Sequence, residues 1–138
     1  MRKTEHYQLN LWDAEDAILR EDFNADNEKI EAALAAIAAD GVKIASGSYT
    51  GNDKYGVNYT SLELPFLPKL LIVQDSQFPE HRMIYPVGAA STLVYNYDDS
   101  AIQASFVVEG TTIKWNGPSS AKYQLNSSVR TYFWVAIG

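Results

Sequence analysis

The two histidines, His6 and His81, stand far apart in the chain, and neither has a second or third ligand at metal-binding spacing. Both read as surface side chains, and no metal or other cofactor is expected. The serine-bearing segments Ala45-Ser46-Gly47-Ser48-Tyr49 and Gly117-Pro118-Ser119-Ser120 look like strand or turn sequence, not the strand-to-helix elbow that exposes a nucleophilic hydroxyl. Asp98-Asp99, after Tyr95-Asn96-Tyr97, could hold calcium or act as a carboxylate pair, although adjacent aspartates at a hairpin tip are usually turn formers. Acid–base hydrolysis by Asp98, Asp99 or Glu109 would need two carboxylates about 5 to 9.5 Å apart in a cleft. A small all-β domain offers little such cleft, so no enzymatic activity is expected. The acceptor patterns Asn58-Tyr59-Thr60 and Asn126-Ser127-Ser128 carry little meaning without a secretory signal.

Two longer segments are more informative than any single side chain. Residues 51–59 contain Asn52, Asp53, Lys54, Tyr55 and Tyr59, and residues 115–124 contain Trp115, Asn116, Lys122 and Tyr123. Aromatic rings interleaved with Asn, Asp and Lys are the mixture that stacks on a sugar ring and hydrogen-bonds its hydroxyls. The same mixture serves protein interfaces, where Tyr and Trp present an apolar body and a polar tip. The candidate ligand contacts are thus Asn52, Asp53, Tyr55, Tyr59, Trp115, Asn116 and Tyr123.

The elements that must position these loops follow from composition and periodicity. The net charge of −6 is unevenly placed: residues 1–41 hold four Lys/Arg against ten Asp/Glu, and residues 42–138 hold seven of each. A neutral carboxyl-terminal part without a basic stripe argues against nucleic acid and anionic membranes. No apolar run approaches the ~20 residues of a membrane span, and no secretory leader is visible, so the reading is a soluble protein made in the cytoplasm. There is no cysteine, which excludes a disulfide scaffold and thiolate chemistry. All five prolines and 14 of the 17 aromatics follow residue 41, so Asp40-Gly41 is read as a hinge between a stem, 1–41, and a head, 42–138.

In the stem, the sequence predicts an extended arm, a brief turn capped by Asp13, and a helix over 22–39 with Asp22 as its N-cap. Phe23, Asn27, Ile30, Leu34 and Ile37 occupy successive d, a, d, a, d positions of a heptad repeat. Leu at a with Ile at d shifts preference away from dimers, and a polar Asn at an a site fixes register. Alternatively the stripe packs on the head of its own chain, the commoner use of one short amphipathic helix. In the head, short apolar runs over 43–50, 61–66, 69–74, 82–87, 92–97, 103–109, 111–115 and 129–137 are separated by turn signals. They predict an antiparallel β-sandwich of about six to eight strands. Leu70-Leu71-Ile72-Val73, apolar on both faces, belongs at the centre of a sheet or at a subunit interface.

Tyr7-Gln8-Leu9-Asn10-Leu11-Trp12, followed by Leu19-Arg20-Glu21-Asp22-Phe23-Asn24-Ala25-Asp26-Asn27-Glu28-Lys29-Ile30, resembles the opening of tail-fibre or baseplate proteins from phages and prophages of Gram-positive gut bacteria. The head is similar to tail-fibre tip domains and, more distantly, to H-type lectins. The resemblance rests on Ser46-Gly47-Ser48-Tyr49-Thr50-Gly51, Leu64-Pro65-Phe66-Leu67-Pro68-Lys69-Leu70 and the closing Phe133-Trp134-Val135-Ala136-Ile137-Gly138. It implies a homotrimeric receptor-binding tip in a virion tail, with Asn27, Ile30, Leu34 and Ile37 lining a threefold seam. It also implies a bacterial surface saccharide as partner, bound from loops at subunit boundaries; of the lectins' sugar contacts only Trp115 is loosely matched. Other tail proteins are the remaining expected partners, and a purely structural tail subunit is the rival reading.

Overall fold

A computed structural model describes residues 1–96, 100–117 and 119–138. The aspartate pair Asp98-Asp99 lies outside the described residues. The chain divides into two compact units, Met1–Gly41 and Val42–Gly138.

The first unit is a small hairpin and one helix. Strands β1 (Arg2–Lys3) and β2 (Asn10–Leu11) pair antiparallel, and helix α1 spans Arg20–Asp40. The helix begins earlier than the sequence predicts. Leu19 is its extended N-cap residue with no side-chain cap, and Asp22 sits inside the first turn, where a carboxylate faces the positive end of the helix dipole. Asp13 caps no helix either: its own N–H is accepted by the Asp16 carboxylate at 2.8 Å, and the Asp16 N–H returns to its carbonyl at 3.0 Å, closing one isolated turn.

Asp26 holds the hairpin to the helix. It is 7% exposed, its Oδ2 accepts the Asn10 N–H at 2.8 Å, and Lys29 Nζ lies 3.4 Å from its Oδ1 while donating to the Gln8 carbonyl at 2.6 Å. Desolvation pushes the Asp26 carboxyl up, but the Asn10 N–H and the charges of Lys29 and Lys3 outweigh it, so the group stays below its ordinary pKa. The hairpin leaves the heptad stripe open: Ile30, Leu34 and Ile37 are 43%, 60% and 61% exposed, and Asn27 is exposed beside them. Phe23 stacks on Trp12 of the same unit, ring centroids 6.5 Å apart, and still leaves half its surface in solvent.

The second unit is a mainly β structure. Strands β3 (Ile44–Thr50), β4 (Thr60–Glu63), β5 (Leu70–Asp75), β6 (Arg82–Pro86), β7 (Ser91–Tyr95), β8 (Ala101–Glu109), β9 (Thr112–Asn116) and β10 (Thr131–Ile137) form one antiparallel sheet. Their order is β3-β10-β5-β6-β7-β8-β9-β4. Each strand but one falls within two residues of its expected run, because period-2 alternation puts one apolar set inward: Leu71 and Val73, Met83 and Tyr85, Ile113 and Trp115, Tyr132 and Ala136. The exception is β4, which ends at Glu63, three residues before the end of the run expected over 61–66. Gly110, at φ +61°, turns β8 into β9 through a two-residue loop, which favours glycine at that positive φ. The aromatic run β10 pairs with β3 on one side and β5 on the other.

The sheet curls so that its inner residues meet. Tyr49 of β3 approaches Trp115 of β9 edge-on at 6.3 Å, and Tyr85 of β6 stacks on Phe106 of β8. Strands β6 and β7 pair at Arg82–Tyr95 and Met83–Val94. Central β5 carries Ile72 on the outer face, in line with Val135 of β10 and Ile84 of β6.

Candidate functional site

Two loops meet at the end of the sheet where β3 and β9 finish and β10 begins, and buried amides stitch them together. Gln124, at the close of a single 3-10 turn over Ala121–Gln124, is fully buried and uses both ends of its side chain. Its Oε1 accepts the N–H groups of Gly56 at 3.0 Å and Gly117 at 2.9 Å. Its Nε2 donates to the Asn58 carbonyl at 2.7 Å and to Thr60 Oγ1 at 3.0 Å. Asn126 repeats the device: Oδ1 accepts the Asn52 N–H at 3.2 Å, while Nδ2 donates to Asn52 Oδ1 at 2.6 Å and to the Lys54 carbonyl at 2.8 Å. Between them Leu125 is held at φ +53°, its side chain in the core and its carbonyl accepting the Tyr49 hydroxyl at 2.8 Å.

Of the expected ligand contacts, Asn52, Asp53, Tyr55 and Tyr59 are exposed on the first loop. Asn116 and Tyr123 are half-buried on the second segment, which the Gln124 bonds tie to the first. Trp115 is a correction. It is fully buried, its ring packs on Phe106 and Tyr49, and its Nε1 donates to the Gln124 carbonyl at 2.8 Å. The alternation of Ile113 and Trp115 along β9 is the signal that assigns it to the core. Asp53 is committed to the scaffold as well: its carboxylate accepts the hydroxyl of Ser128 and, at 2.8 Å, the Ser128 N–H. These two bonds hold its pKa below the ordinary value against a smaller opposing effect of desolvation.

The loops approach through Gly51. A Cβ there would overlap the carbonyl carbon of Asn126 and the carbonyl oxygen of Ser127, both main-chain atoms that cannot rotate away. Gly51→Ala is therefore expected to part the loops at a cost of about 3 kcal/mol. Thermal unfolding should fall by roughly 10 °C, with faster amide exchange at Asn52 and Asp53.

His81 is a second correction, because it is buried rather than on the surface. Its Nε2 meets the Lys122 carbonyl at 2.6 Å and its Nδ1 faces Asp75 Oδ2 at 3.4 Å. Asp75 is 1% exposed, at the end of β5, with Arg130 Nε 3.9 Å from the same oxygen. These residues, with Phe78, Lys122, Ser127, Val129 and Tyr132, line a cavity of about 150 Å³. Burial pushes the Tyr132 phenol up to about 12, helped by the charge of Asp75 and opposed by the Ser127 N–H and Arg130, so it stands neutral and accepts the Ser127 N–H at 3.1 Å. Among the described residues no group of three or more His, Cys, Asp or Glu could hold a metal ion. No family model, curated protein or solved structure matches this chain.

Proposed function

We propose that this chain is a homotrimeric, non-enzymatic tail-fibre or baseplate protein of a phage or prophage, whose sheet unit recognises a bacterial surface glycan. The observation that carries the reading is the open stripe on α1: Ile30, Leu34 and Ile37 lie along one line of a 21-residue helix and each leaves a large part of its surface in solvent. With Tyr7, Leu9 and Ala33 they line an almost wholly apolar groove of about 200 Å³. An apolar stripe left in solvent is stabilised when copies bury it against one another. Leu34 at a and Ile37 at d favour more than two strands, and the resemblance to trimeric tail proteins selects three.

The outer face of the sheet adds a second apolar surface. Val135 and Ile84 are 37% and 49% exposed, with Ile72 between them, a cross-strand row of the kind that marks interfaces. On this reading the two halves of the curled sheet are the layers of a sandwich, and the stitched loops present Tyr55 and Tyr59 as stacking surfaces beside Asn52. Three weak sites on one rigid head gain avidity of roughly 10² to 10⁴-fold through effective concentration.

The direct test is binding to immobilised wall polysaccharides from Gram-positive gut bacteria, read by surface plasmon resonance. Tyr55→Ala with Tyr59→Ala removes two ring faces worth about 1 kcal/mol each, so monovalent affinity should fall by roughly tenfold or more. Avidity raises that loss on a dense surface. No binding to any wall glycan, together with a stable complex with another tail protein, would replace this reading with the purely structural subunit.

A further inference from the structure

The loop surface is an open platform, and a half-open cavity lies at the same end of the sheet. Asp75 is anchored through Oδ1, which accepts the N–H groups of Gln77 at 2.8 Å and Phe78 at 3.3 Å. Its Oδ2 is buried and accepts no hydrogen bond. An unsatisfied buried carboxylate oxygen is expensive, and a donor that reaches it is strongly favoured.

The neighbours do not do so. His81 Nε2 is held by the Lys122 carbonyl, and its Nδ1 lies 3.4 Å from Oδ2 without making a hydrogen bond to it. Arg130 Nε stays 3.9 Å away, its guanidinium stacked 4.3 Å from the Phe78 ring centroid and its Nη1 donating to Gln77 Oε1. The guanidinium thus supplies counter-charge and further donors at the mouth, and leaves the inner oxygen for a ligand.

The geometry points to a binding site for one sugar ring in the cavity between Asp75, His81, Arg130 and Tyr132. This rests on the glycan reading above and assigns it a pocket. A hydroxyl of the sugar donates to Asp75 Oδ2, the adjacent hydroxyl accepts from Arg130, and Phe78 and Val129 meet the apolar C–H face. The volume of about 150 Å³ suits a single ring inserted edge-on; it is below the roughly 300 Å³ at which pockets for larger ligands begin. The site adjoins the loop platform through Ser127 and Ser128, the first lining the cavity and the second holding Asp53, and the Gly51 N–H donates to the Arg130 carbonyl at 3.1 Å. A terminal residue in the cavity and later residues over the loops would follow one continuous surface.

Isotope-labelled protein titrated with glucose, galactose, rhamnose, N-acetylglucosamine and N-acetylgalactosamine tests this, read by the His81 imidazole and Gly51 amide resonances. One of the sugars is expected to move both saturably, with a millimolar Kd. Arg130→Gln should weaken it by roughly tenfold or more, the loss of one charged hydrogen bond. Asp75→Asn should weaken it further; should that variant fail to fold, Arg130→Gln, on a partly exposed side chain, decides alone. Saturable binding that leaves His81 unmoved, survives Arg130→Gln and is lost in Tyr55→Ala overturns the cavity while leaving the glycan reading standing. No saturable shift with any of these sugars or with wall polysaccharide overturns both.

Discussion

Gln124→Leu is expected to lower stability by roughly 3–6 kcal/mol with the denaturant slope unchanged. Leucine keeps the approximate volume and removes every polar partner at once. The N–H groups of Gly56 and Gly117 lose their shared acceptor, and the Asn58 carbonyl and Thr60 hydroxyl lose their donor. At about 1–3 kcal/mol for each buried group left unpaired, the stranded Gly117 N–H and the partners of Nε2 supply most of the loss, while the Gly56 N–H keeps the Gly117 carbonyl at 3.1 Å. Gln124→Glu separates hydrogen bonding from shape: an ionised carboxylate still accepts from Gly56 and Gly117 but cannot donate to Asn58 or Thr60, so its penalty should shrink as acid protonates it. Urea titrations followed by tryptophan fluorescence measure both variants, because Trp115 Nε1 bonds the Gln124 carbonyl and reports on the same junction. An unchanged midpoint for Gln124→Leu would mean that the two loops are not held by this amide.

The contrast between Gln124 and the strands shows which parts of the fold were legible. Alternation along residues 102–108, or Leu71 and Val73 in a run apolar on both faces, is local, so each strand announces itself within a few residues. The order that seats β10 between β3 and β5 depends on pairings across the whole unit and leaves no local mark. The helix was legible from its repeat, yet its first turn was misplaced, because Leu19 begins it without a polar cap while the Asp26 contacts tie it to the hairpin. Polar residues misled most. His81 follows Phe78-Pro79-Glu80, which reads as an exposed turn, and becomes buried because this turn folds it back onto Asp75 and Lys122 arrives from a distant segment. Gln124 and Asn126 look like surface loop residues and are roofed by residues 52–58. Trp115 was the avoidable error, since its strand neighbours already indicated which way it points.

Leu34→Asp combined with Ile37→Asp is expected to convert a trimer into a monomer without unfolding the sheet unit. In the proposed trimer each substitution would place a carboxylate in the seam between three copies, so burial and like-charge repulsion would act together. Desolvating an unpaired ionised group costs several kcal/mol, and each layer of the assembly would contain three. In the isolated chain the same positions are 60% and 61% exposed, so aspartate there is solvated and removes little of the unit's own packing. The hairpin attachment through Asp26, Asn10 and Lys29 does not involve either residue. Sedimentation equilibrium at micromolar concentration should therefore give three chain masses for the parent and one for the double variant, with unchanged β-sheet circular dichroism. Asn27→Leu completes the experiment: burying leucine where a polar a-site residue had fixed register should raise the thermal stability of the assembly and broaden its oligomer distribution. A parent protein that sediments as a single chain would remove the stem, because the exposed stripe would then have no copy to cover it, and avidity could no longer compensate for weak individual sugar sites.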